Sequence, residues 1–206
     1  MNGFQEIPPF SCIKRPALCD GGRVEILQVL ALYISPRHNY FGHHGMPPDE
    51  NETLSRSEIV CVEGRGVEGD RFFDYKPDYK GQITFFADEI YQRLCRELGV
   101  SGISHHAFRR NVITRGVDLN SLIGREFSVQ GIRFSGTGEC KPCYWMNTAF
   151  HPAAEAALQG NGGLRAKILS SGKLRCSLVS EVMARHAEPS ESAVEAACRG
   201  QGPKTK

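Results

Sequence analysis

The sequence predicts a mainly β protein with some α structure, a mixed β-barrel carrying a few peripheral helices. Three observations lead there. Short branched apolar runs recur between Gly- and Pro-bearing turns. Only two or three segments have helical character, and they do not alternate regularly with the strands as a doubly wound parallel sheet requires.

Residues 1–22 hold three prolines, a glycine pair and no sustained periodicity, and read as a flexible leader. Val24 to Ile34 (VEILQVLALYI) is an apolar strand closed by Ser35-Pro36, and a long loop follows through Arg56. Ile59 to Val62 is a short strand, after which Gly64, Gly66 and Gly69 break any regular element. Gln82 to Phe86 is a strand, and Asp88 to Leu98 is the clearest helix, with Ile90, Leu94 and Leu98 four apart and Gly99 as its stop.

Asn111 to Thr114 is branched and apolar, while Phe127 to Val129 and Ile132 to Ser135 flank a tight Gln130-Gly131 hairpin. Pro152 to Gln159 is a short Ala-rich helix. Leu164 to Leu169 and Lys173 to Leu178 are strands around Ser171-Gly172, and Val179 to Met183 continues the last of them. One domain over 23–187 accommodates these elements, with a disordered tail over 188–206 rich in Ser, Ala, Gly and Lys.

Charge and composition exclude several functions. The 25 basic and 23 acidic residues leave a net charge of +2 and no field of the kind that grips nucleic acid. No apolar run approaches the roughly 20 residues of a membrane span, and the start has neither a basic leader nor an apolar signal core, so a cytoplasmic protein is expected. Eight cysteines in 206 residues are too sparse for a secreted disulfide scaffold and read mostly as reduced thiols.

Cys140-Lys141-Pro142-Cys143 is the first chemical candidate, since thiols at this spacing can form a disulfide, share a metal or act as nucleophile and resolving partner. Zinc would need further ligands that the chain does not offer as a second Cys-x-x-Cys. Thioredoxin-type exchange would want a flanking βαβ pattern that is not visible. Lys141 would favour the thiolate. Arg109, Arg110 and Arg115 bracket Asn111 and a short strand, and arginine forks suit phosphate or carboxylate, although three such arginines are more often a solvated edge. His38, His43 and His44 share one loop that could bind a metal, a polar loop being the commoner reading.

Taken together, GDRF at 69–72, QITFFADE at 82–89, FRRNVITRGVDLNSLIG at 108–124, CKPC at 140–143 and GGLRAKIL at 162–169 resemble the MOSC domain, the C-terminal domain of molybdenum cofactor sulfurases. The resemblance runs from about Val24 to Met183. It implies a closed β-barrel of complex topology and an essential cysteine matching Cys143, which carries sulfur or ligates molybdenum, with Cys140 as a helper. It also implies that Arg109, Arg110 and Asn111 hold the phosphate and pterin of a molybdenum-molybdopterin cofactor, with Arg115 and Lys141 nearby and Asp118 and Asn120 as scaffolding. The sulfurases' pyridoxal-phosphate domain is not expected here, so no bound pyridoxal phosphate is expected either.

Three readings follow. The first is an enzyme reducing small N-hydroxylated or N-oxygenated compounds at a Cys143-ligated molybdenum, supplied by a separate electron-donor protein. The second is a persulfide carrier on Cys143, charged by a separate cysteine desulfurase. The third is a module that binds the pterin cofactor without catalysis.

Overall fold

Branched apolar residues with a change of parity build the first strand into two cores at once. In this computed structural model, which describes residues 24–40, 45–176, 179–183 and 185–186, β1 (Val24–Ile34) covers the predicted segment. Leu27, Val29, Leu32 and Ile34 face one core. Their spacing of two, three and two follows from a register irregularity between Val29 and Ala31, where an extra residue lets the strand keep its buried face. Leu30, Ala31 and Tyr33 turn to a second core on the opposite side.

Four strands follow: β2 (Leu54–Arg56), β3 (Glu58–Val62), β4 (Gly66–Val67) and β5 (Ile83–Ala87). Helix α1 (Asp88–Leu98) matches the predicted span and ends on Gly99 in the left-handed conformation that glycine adopts without strain. Next come β6 (Val112–Arg115), β7 (Arg125–Val129) and β8 (Ile132–Glu139), then α2 (Trp145–Ala149) and α3 (Ala154–Ala157). The chain continues with β9 (Leu164–Ile168), β10 (Gly172–Arg175), β11 (Val179–Met183) and β12 (Arg185–His186). Short 3-10 turns at His105–Phe108 and Leu119–Leu122 precede and follow β6. The β7–β8 hairpin closes through Gln130 and Gly131, both at positive φ, which matches the twist of the strands it joins.

Nine strands form one sheet in the order β11-β1-β6-β5-β9-β8-β7-β12, with β2 beside β1, and β10-β3-β4 form a smaller sheet. Only β5 and β6 pair in parallel among the named strands, joined by α1 as a single crossover. Both faces of this pair are buried. Ile83, Phe85 and Val112 enter the inner core, where Phe85, Phe127 and Phe134 pack ring against ring. Phe86 and Ile113 enter the outer core with Leu94 of α1, Met146 and Phe150 around α2, and Ala154 and Leu158 around α3.

The mainly β architecture with few helices is as expected, whereas the closed barrel is corrected to a curled half-barrel. The hydrogen-bonded path is open. Its end strands β11 and β12 pair with β1 and β7 respectively, each over only part of those strands, and no ladder joins β1 directly to β7. Four elements also differ from expectation. The glycines at 64 and 66 do not abolish structure, because Gly66 and Val67 pair with Val62 and Cys61 as β4. The stretch expected to run on from Lys173 to Met183 is split between two sheets, β10 joining β3 and β11 joining β1. The Ala-rich helix shortens to α3, and α2 forms where no helix was expected. The leader over 1–22 and the tail from 188 lie outside the described residues.

Asp88 fastens the crossover. Its buried carboxylate accepts from Arg115 at 2.5 and 3.2 Å, from His105 at 2.7 Å and from Gln92 at 3.5 Å. Burial pushes the carboxyl pKa up, but the hydrogen bonds from Arg115, His105 and Gln92 outweigh it and hold the group below its ordinary value. A depressed carboxyl stabilises the fold above its unfolded pKa and loses that contribution as pH falls through the folded one. Urea unfolding followed from about pH 6 to about pH 2 should therefore show a steeper acid loss in the parent than in Asp88→Asn, whose profile lacks this titration.

Candidate functional site

Four consecutive side chains, Phe108 to Asn111, are sent to four different places by the turn that carries them. Phe108 ends the 3-10 turn and packs on Phe86 at 4.5 Å and on Phe150 at 4.9 Å. Arg109 follows at φ 52°, an uncommon left-handed position for a residue with a side chain, which swings the next residue back toward the sheet. Its own guanidinium donates to the carbonyls of Arg37 (2.6 Å) and Asn51 (3.3 Å), tying down the long loop after β1. Asn111 is a buried bracket. It accepts from the backbone N–H and hydroxyl of Thr84 at 3.0 and 2.9 Å and donates to Asp70 at 3.1 Å.

Arg110 reaches the cysteine loop. Its guanidinium donates to the carbonyls of Phe108 (2.8 Å), Cys140 (3.2 Å) and Gly162 (3.1 and 3.0 Å). The Cys140 N–H in turn donates to the Gly163 carbonyl at 2.6 Å, and the Gly162 N–H to Glu139 at 3.1 Å. Glycine is required at 162, since a Cβ there would sit 2.3 Å from the Cys140 carbonyl oxygen. The loop between β8 and α2 is thus clamped with the Cys140 thiol buried and Cys143 exposed.

These parts surround a cavity of about 200 Å³ lined by both thiols and by Arg71, Arg109, Arg110, Lys141 and Arg165. Among the described residues none that lines it is a carboxylate. Burial, reinforced by the nearby charge of Arg71, lowers the Arg109 pKa to about 10. Burial likewise lowers that of Arg71, opposed by Asp70 and reinforced by Arg110. Asp70 holds Arg71 from behind at 3.6 Å while accepting the Ser35 N–H at 3.0 Å. Phe72 and Tyr79 make an aromatic side of the cavity, with the Arg71 guanidinium 4.7 Å from the Phe72 ring centroid.

The cations differ in what their donors already do. Arg110 and Arg109 are occupied by backbone carbonyls, and Arg71 by Asp70 and Phe72. Arg165 on β9 and Lys141 in the loop are exposed and line the cavity. Such a set fits an anionic, phosphate-bearing group beside a soft metal ligand.

Of the residues singled out from sequence, the cavity gathers Cys140, Cys143, Lys141, Arg109 and Arg110. Asn111 lies behind the wall. Arg115 points elsewhere, paired to Asp88 at the start of α1. Arg71 and Arg165 sit in two of the motifs that carried the resemblance but were not selected as site residues. Only their convergence in space, from 71 and 165, marks them. His38 packs edge-on against Phe72 at 5.1 Å, and His43 and His44 lie outside the described residues. Among the described residues no cluster of three His, Cys, Asp or Glu side chains could hold a metal ion, and no helix is long and apolar enough to cross a membrane.

A sequence model of the MOSC domain matches residues 43–185, about two thirds of the chain. The chain belongs to the MOSC domain family. That family is associated with binding the molybdenum cofactor. Solved structures share the fold: the YUAD protein from Bacillus subtilis aligns with a TM-score of 0.65 at 18% identity over 81% of this chain and 100% of its own. YiiM from Geobacillus stearothermophilus gives 0.56 at 12% identity over 77% of this chain and 75% of its own. YiiM from Escherichia coli gives 0.52 at 16% identity over 81% of this chain and 71% of its own. No curated protein matches the chain.

The clamp in this MOSC domain has a direct test. Gly162→Ala places a methyl against the Cys140 carbonyl and Pro142, so urea denaturation should show a loss of about 1–3 kcal/mol. The emission of Trp145, the single tryptophan, should shift as the cysteine loop moves.

Proposed function

We propose that this MOSC protein binds a molybdenum-pterin cofactor, with the Cys143 thiolate as metal ligand, and reduces small N-hydroxylated or N-oxygenated compounds with electrons from a separate donor protein. The observation that carries the reading is one cavity holding an accessible thiol and five cationic side chains without a carboxylate. When bound, the cofactor supplies two-electron redox chemistry at a soft-ligated metal.

The chain's own residues divide the remaining work. Arg165 and Lys141 grip the anionic part of the cofactor, which is also the part that about 200 Å³ suits, since whole ligand pockets run to roughly 300–1,000 Å³. Arg71 and Arg109 add positive potential at the back of the cavity. Arg110 holds the cysteine loop at the height from which Cys143 reaches the opening. Phe72 and Tyr79 keep one side dry, which strengthens every charge interaction inside.

A second reading rests on the same thiol: Cys143 is exposed while Cys140 is buried in the same cavity, an arrangement suited to a persulfide carrier. Mass spectrometry after incubation with a cysteine desulfurase and cysteine would show added sulfur on Cys143 under that reading and none under the first.

Molybdenum measured in protein purified from a cofactor-competent host tests the leading reading. Cys143→Ala should retain on the order of a tenth or less of the parent's metal, about the effect of losing 1.4 kcal/mol or more of binding. Equal metal in both would sink the proposal. Arg165→Ala should lose cofactor with an unchanged unfolding midpoint, whereas Arg110→Ala should cost roughly 1–3 kcal/mol of stability by leaving buried carbonyls unpaired.

A further inference from the structure

A larger cavity lies on the other side of the 160–163 segment from the cysteine loop, with a volume of about 470 Å³. It opens at the carboxyl ends of the parallel strands β5 and β6, beside the first turn of the crossover helix α1. This is the place where α/β units commonly receive ligands. Its apolar wall comes from Ala87, Val117 and Leu119, which are buried, together with Ile90.

The charged groups on the wall are of one sign. Glu89 and Asp118 are both carboxylates at the rim, and among the described residues no lysine or arginine lines the space. Arg115, the nearest cation in sequence, is held by Asp88. Each side-chain amide spends one N–H locally, Asn120 donating to the Gly160 carbonyl at 2.8 Å and Asn161 to the Gln159 carbonyl at 3.3 Å. Each carboxylate spends one oxygen locally, Glu89 accepting the Gly116 N–H at 2.8 Å and Asp118 the Asn120 N–H at 3.0 Å. What remains for a ligand is a negatively charged, acceptor-rich rim over an apolar floor.

We propose that this cavity is a second binding site, for a small apolar molecule bearing a protonated amine. The ammonium supplies three donors to Glu89 and Asp118 and to the carbonyl oxygens of the Asn120 and Asn161 side chains. The apolar body covers Ile90, Val117 and Leu119. The site is separate from the arginine cavity and takes ligands of the opposite charge.

Titration of 2-phenylethylamine into the isotope-labelled full chain, read from backbone amide resonances, tests this. Saturable shifts are expected at Gly116, Asp118, Leu119, Asn120 and Gly163, with a Kd on the order of 1 mM or tighter for a ligand of this size. The isosteric double variant Glu89→Gln with Asp118→Asn keeps both local hydrogen bonds and should weaken binding about tenfold or more. 3-Phenylpropionate, the same shape with the charge reversed, should produce no saturable shifts in the parent. The proposal is overturned by absence of shifts at these amides, by equal binding of the acid and the amine, or by unchanged affinity in the double variant. The comparison of the two probes needs only the parent protein, so it stands even where a variant folds poorly.

Discussion

The guanidinium of Arg110 joins three segments that are far apart in sequence: the turn ending at Phe108, the cysteine loop at Cys140 and the approach to β9 at Gly162. A rigid planar fork is needed to serve three carbonyls at once, and a lysine's single ammonium could not do so in this geometry. All these partners are neutral. The carbonyl dipoles satisfy the N–H groups without cancelling the charge, so Arg110 both assembles the wall and leaves it positive. The close approach of Gly162 to the Cys140 carbonyl is the other half of the same constraint.

The clamp can work because the sheet beneath it is fixed on both faces. β5 and β6 alternate strictly between the inner and outer cores, and the β1 irregularity brings that strand into step with them. Position 108 therefore has to be large and apolar, and its neighbours are aimed by the strand that follows. Asn111 then ties β6 to β5 through Thr84 and to the Arg71 support through Asp70, so the sheet, the cations and the thiols form one connected network. Buried polar networks of this kind are sensitive to any member left unpaired.

β1 was legible as a long branched apolar run closed by Ser35-Pro36, and α1 through its four-residue apolar repeat and the glycine that stops it. The two-residue β4 and five-residue α2 were not, since elements so short are decided by tertiary pairing rather than propensity. Continuity misled at 173–183, where one extended stretch serves two sheets. The site was legible in its cysteines and in Arg109 and Arg110 through the resemblance of ordered motifs, not through spacing. Arg115 shows the limit: an arginine in the same segment pairs with Asp88, 27 residues away, and no local pattern announces that partner. Arg71 and Arg165 stand on strands and turns that meet only after folding.

Bringing Arg71, Arg109 and Arg110 to one cavity has an electrostatic consequence. Folding holds these cations near one another in a site from which water is partly excluded, and burial and the repulsion of neighbouring cations both lower the proton affinity of Arg109 and Arg71. Asp70 relieves part of that repulsion from behind, but its carboxylate is bound to Ser35 and Asn111 and does not line the cavity. An anion entering from the front relieves the rest, and its gain is larger because the cations are already in place and lose no freedom on binding it. A neutral ligand of the same shape gains none of this. Under the proposed function the discrimination would come from scaffolding residues that need not touch the ligand, with Arg165 and Lys141 left to make the contacts.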